Sequence, residues 1–169
     1  PIPRHLARQN LGLSDALLFQ GVDLWHAYEL SWLDKSGKPV VRVGRFSVPA
    51  TSPNIVESKS FKLYLNSLNN SQFSCDEDAR GTITTDISAV AGADVTLSLY
   101  AADDPALAGA TLQGECLDEC TIEPRRGEPD AMQLEVQPGN VVEEVLYSHL
   151  LRSLCPVTGQ PDWATVWLH

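Results

Sequence analysis

One pattern that occurs twice constrains the fold more than any other feature of the chain. Tyr28-Glu-Leu-Ser-Trp-Leu33, a turn, Pro39 and an alternating strand are matched in kind by Tyr147-Ser-His-Leu-Leu-Arg152, a turn, Pro161 and another apolar strand. An apolar run, a Gly/Pro turn and a second strand-like run spell an antiparallel hairpin. A lone hairpin is at best marginally stable, so each copy must belong to a larger sheet. A repeat on this scale predicts two related modules, the second begun but not finished.

Between the hairpins the periodicity changes. Phe61, Tyr64, Leu65 and Leu68 recur at helical spacing in a segment that follows the Pro53-Asn54 break, so a helix is expected from about Ile55 to Leu68. Asp76-Glu77-Asp78 opens a second helix running to about Val90, its acids at the favourable end of the dipole. Val95–Tyr100 alternates as a strand, and Thr111–Asp118 is its expected partner. The order is therefore ββααββ, an α+β fold with an antiparallel sheet and helices on one face. The expected organisation is an arm over residues 1–21 with a helical turn in Leu11–Phe19, and a first module over 22–122. A charged linker over 123–131 leads to the start of a second module over 132–169, with strands at Met132–Val136 and in the later part of Val141–Leu154. Pro1 and the apolar run ending at His169 read as the ends of a fragment.

Charge excludes several functions. Twelve Lys and Arg against 22 Asp and Glu give a net charge of −10, the opposite of a nucleic-acid footprint and of a binder of anionic membranes. No window is apolar enough to span a bilayer, and the expected location is the cytoplasm. Four cysteines without a secretory signal read as free thiols.

Two stretches carry reactive chemistry. Cys155-Pro-Val-Thr-Gly-Gln-Pro-Asp162 places a thiol and a carboxylate across a loop stiffened by two prolines, as nucleophilic attack with local proton delivery requires. In Glu57-Ser-Lys-Ser-Phe-Lys62, Ser58, the free N–H groups of a helix start and the lysines can bind an anion. Ionised Glu57 can accept paired N–H donors from a heterocycle. Cys116 and Cys120 lack the spacing of a zinc knuckle.

Glu57 through Ser67 is similar to the signature of the NADPH-dependent 7-cyano-7-deazaguanine reductases, the nitrile reductases of queuosine biosynthesis. Tyr28–Leu33, Val142-Glu-Glu-Val145, Ser148–Ser153 and Cys155 through Trp163 resemble the same family's long, two-module type. The resemblance implies a tunnelling fold (T-fold), in which ββααββ modules associate into barrels, and a homodimer. It implies reduction of the nitrile of 7-cyano-7-deazaguanine to a primary amine with two NADPH, for tRNA modification. Cys155 would form a covalent thioimide and Asp162 would protonate the nitrile nitrogen. Val56, Glu57 and Ser58 would hold the substrate ring. Ser58, Lys59 and Lys62 would touch NADPH, and Arg152 would depress the thiol pKa. No metal is implied. The family's His-Glu substrate pair and Arg-Gly cofactor segment have no counterpart here, so the fragment alone is expected to be inactive.

Three other readings stay open: a zinc-dependent pterin or purine cyclohydrolase using Cys116, Cys120 and a histidine; a non-catalytic scaffold; and a cysteine hydrolase using Cys155 and His149.

Overall fold

A computed structural model describes residues 1–14, 16–121, 131–155 and 157–169. The chain divides into two compact units, Pro1–Ala108 and Gly109–His169. The architecture is α+β, and among the described residues no helix is long and apolar enough to cross a membrane.

The first unit begins with β1 (Ile2–Pro3) and α1 (Arg4–Asn10). The expected helical turn at Leu11–Phe19 is thus displaced toward the terminus. Pro3, with φ −62°, suits the helix entry, and Gly12 at φ +68° follows the C-cap Leu11. The arm is tied down where Arg4 reaches the Asp23 carboxylate and the Ser52 hydroxyl.

The repeated pattern does form a hairpin here, β2 (Val22–Leu33) with β3 (Pro39–Pro49). The register shifts between Ala27 and Leu30, leaving a bulge at Tyr28-Glu29. This bulge is why the strand can bury both halves. Trp25 and Ala27 pack against the core before it, and Leu30 and Trp32 lie inside the core after it, a change of parity that an unbroken strand forbids.

β4 (Asn54–Ile55) pairs with β1, so the helix that follows starts later than its apolar periodicity suggests. It is α2 (Ser58–Ser67), extended by a 3-10 turn over Leu68–Asn70. α3 (Asp76–Ala91) follows as expected, with Ala79, Ile83, Ile87 and Ala91 on its buried face. Gly92 closes it in the left-handed region at φ +71°. β5 (Thr96–Tyr100) adds antiparallel to β3, giving a sheet of order β2-β3-β5. Phe61 of α2 reaches into the core between the rings of Trp25 and Phe46, edge to face at 6.0 and 4.8 Å.

The strand expected at Thr111–Asp118 does not join this sheet. Only β6 (Glu115–Cys116) is extended, and it runs parallel to β7 (Leu146–Leu154) in the second unit. Gly114 explains the diversion. At φ +121° it brings the backbone so close to Val145 that a Cβ there would lie 2.5 Å from the Val145 carbonyl oxygen. The Glu115 N–H then donates to that oxygen at 2.9 Å.

The linker expected over 123–131 lies almost wholly outside the described residues. A strand at Met132–Val136 is not formed; a 3-10 turn occupies Ala131–Gln133, and the residues from Leu134 to Val145 have no regular structure. The later part of Val141–Leu154 is a strand, as expected, and pairs antiparallel with β8 (Pro161–Leu168).

The two hairpins share their register. Leu33 pairs with Pro39 and Leu154 with Pro161 at the turn, and the bulges lie at equal remove, between Ala27 and Leu30 and between Ser148 and Leu151. The geometry repeats two residues out of step with the sequence match: Tyr28 corresponds to His149 in the second bulge, not to Tyr147.

Candidate active site

Glu57 is the cap of α2, and its carboxylate is already engaged. One oxygen accepts the Lys59 N–H at 2.8 Å; the other accepts the Ser60 N–H at 2.7 Å and the Ser60 hydroxyl at 2.6 Å. The Ser60 hydroxyl, then the Ser60 and Lys59 N–H groups, hold the Glu57 carboxyl down at about 2. Ser60 was missed in the sequence because glutamate is not among the favoured N-cap residues, so the run reads as plain charge. Val56 is buried in the core, which leaves its backbone as the part a ligand can reach. Ser58 and Lys59 are exposed.

A cavity of ≈ 420 Å³ opens beside this helix start, between α2 and the bulged part of β2. Ser58 and Lys62 line it, with Trp25, Tyr28, Glu29 and Phe61. Val56, Glu57 and Lys59 do not, so the structure joins two of the five expected binding residues in one cavity. His26 stacks on Tyr28 at 5.9 Å, as a strand histidine does.

In the second unit Cys155 directly follows β7. Its N–H donates to the Gln160 carbonyl at 2.9 Å, and its own carbonyl accepts the Gly159 N–H at 2.9 Å. Those two bonds close the loop, with Gly159 at φ +69° making the reversal. The Cys155 thiol is half-buried and its pKa is lowered. The Thr158 hydroxyl is the largest cause, followed by the N–H groups of Thr158 and Val157. Burial and the Asp162 carboxylate oppose them. The Arg152 guanidinium lies over the Trp163 ring, 5.9 Å from the centroid. Asp162 is exposed in β8, across from Ser153. Thr158, like Ser60, escaped the sequence reading, since a hydroxyl inside a Pro/Gly loop looks like ordinary turn chemistry.

All four cysteines are free thiols. His149 places Nδ1 2.8 Å from the Thr165 hydroxyl and stands near Cys116 and Asp118, so the structure does not pair it with Cys155. Cys120 is not part of that group, contrary to the ligand set of the cyclohydrolase reading.

Residues 1–99 match the family described as nitrile reductase, 7-cyano-7-deazaguanine-reductase N-terminal. Curated relatives named NADPH-dependent 7-cyano-7-deazaguanine reductase match almost the whole chain. That of Chromohalobacter salexigens is 52% identical over 98% of this chain and 60% of its own length. The protein of Dechloromonas aromatica is 54% identical over 98% of this chain and 59% of its own length. The one from Teredinibacter turnerae is 52% identical over 99% and 60%. The chain thus spans about three fifths of the length of the curated relatives it matches.

Proposed function

We propose, from the premise that this chain belongs to the nitrile reductase family of 7-cyano-7-deazaguanine reductases, that it carries the covalent half of that reaction. The observation that carries the reading is the donor set around Cys155, which favours a thiolate at the start of a closed loop. A thiolate adds to the sp carbon of a nitrile; the C≡N π pair moves to nitrogen, and Asp162 supplies the proton there. The product is a thioimide on Cys155. Val56 through its backbone, Glu57 and Ser58 bind the deazaguanine ring, Glu57 accepting N–H groups of its polar edge.

NADPH, when bound, supplies the hydrides that take the carbon to an amine. The residues fit such a molecule: Trp25 and Phe61 give the cavity an apolar wall for a flat ring, and Lys62 gives it a cation for a phosphate. Ser58, Lys59 and Lys62 would hold it. The strand, strand, helix, helix, strand order of the first unit supports a T-fold module, and the matching hairpin of the second unit supports a second one. We assign the assembly as a homodimer acting in the cytoplasm in queuosine biosynthesis.

The test is intact mass spectrometry of the full-length protein after incubation with 7-cyano-7-deazaguanine and no NADPH. A substrate-sized mass gain in the wild type, absent from Cys155→Ala, is the expected result. A folded, reduced wild type that gains no mass overturns the assignment.

A further inference from the structure

Cys116, Asp118 and His149 bring a sulfur, a carboxylate oxygen and a ring nitrogen within 4.8 Å of one another. They come from two separate parts of the second unit. Cys116 ends β6, Asp118 lies in the turn after it, and His149 sits in the bulge of β7. The backbone reason for the meeting is visible. A bulge removes N–H groups from the ladder, and here the His149 N–H donates to both oxygens of Asp118 at 3.2 and 3.3 Å. The Leu150 N–H turns to the Ser148 hydroxyl at 3.1 Å.

We propose that Cys116, Asp118 and His149 form a binding site for a zinc-type divalent cation. Thiolate, imidazole and carboxylate together are the donor set of zinc, a borderline-soft ion that takes three protein ligands where a fourth position stays open. The outer hydrogen bonds of a metal site are also in place. Ser148 donates to Asp118 at 2.7 Å, and Thr165 fixes the His149 ring through Nδ1. Tyr147 braces that ring edge to face at 5.4 Å. A cavity of ≈ 550 Å³ lined by Tyr147, His149, Thr165 and Trp167 adjoins the site and leaves room for water as the fourth ligand.

The site has work to do in the fold. β6 pairs with β7 only through Glu115 and Cys116, and the segment after it is held to the bulge by the hydrogen bonds that Asp118 accepts from Ser148 and His149. A cation bound across it would clip the 115–119 segment to the bulge. Its ligands would have to be deprotonated, so affinity falls as pH falls.

The test uses the full-length protein, stripped with a chelator, kept reduced without thiols, and titrated with Co²⁺ as the probe. The expected result is one equivalent bound with a sulfur-to-cobalt charge-transfer band. That band is lost in Cys116→Ala and retained in Cys120→Ala and Cys155→Ala. Asp118→Asn and His149→Gln, checked for folding by circular dichroism, should each weaken binding by at least about tenfold. They keep the question decidable where Cys116→Ala does not fold. No thiolate band in the wild type overturns the proposal, as does a band that survives Cys116→Ala or disappears only in Cys155→Ala.

Discussion

Cys155 and Asp34 hold the same position in two loops built alike. Each directly follows a strand whose last residue faces a proline, Leu154 against Pro161 and Leu33 against Pro39. Each donates its N–H to the last residue of the loop at 2.9 Å and accepts at its carbonyl a glycine N–H, from Gly159 at 2.9 Å or Gly37 at 3.0 Å. The Asp34 carboxylate takes the Ser36 N–H at 2.8 Å, the Ser36 hydroxyl at 2.6 Å and the Lys38 N–H at 3.0 Å, and its pKa is lowered. In one copy the loop gathers donors around a carboxylate; in the other it gathers them around sulfur.

It follows that Thr158→Val should move the alkylation of Cys155 to higher pH. A thiol whose pKa is lowered keeps its thiolate as pH falls, and the variant should lose that reserve. Iodoacetamide labelling at neutral pH should slow. An unchanged pH profile would rule out the threonine hydroxyl as the main cause.

Glu57 gives a prediction in acid. Its folded pKa of about 2 lies below the 4.5 of a free glutamate side chain, so its cap contributes above the upper value and is lost as pH falls toward the lower. The Lys59 and Ser60 amide resonances should therefore shift with a midpoint near 2. A midpoint near 4.5 would mean the cap is not populated in solution.

Gly92→Ala should destabilise the first unit by about 2–4 kcal/mol, through left-handed strain and a clash. The added Cβ would stand 2.6 Å from Pro53 Cγ. Urea unfolding would read the loss, and a variant as stable as wild type would refute it.

Phe61→Ala should cost about 3–5 kcal/mol by the same measurement. It removes a buried ring that touches both Trp25 and Phe46. Leu63→Ala, on the exposed side of the same helix, is the control and should change stability little.

What the sequence made legible were elements whose cause is local. The hairpins announce themselves by alternation around Gly and Pro, and α3 by its acidic start. Elements set by distant partners stayed hidden. α1 depends on an arm whose β1 pairs with Asn54–Ile55, and β6 depends on Gly114 meeting Val145. Cys155 and Asp162 stood out through their proline-bounded spacing, and Glu57 through its place in a charged run. Ser60 and Thr158 did not, because a hydroxyl declares its partner only once the backbone has folded.

A carboxylate has about four places to accept hydrogen bonds, and α2 already occupies three of those on Glu57. A heterocycle offering two N–H groups can take the vacant place, but its second must displace a donor of the helix itself. If the ring binds Glu57 as proposed, recognition would be an exchange of donors, in which the ligand's N–H groups replace N–H groups of the helix on the carboxylate and the first turn of α2 is released in the same step. Tightening that turn should weaken the ligand's hold, and loosening it, as Ser60→Ala would, should strengthen it.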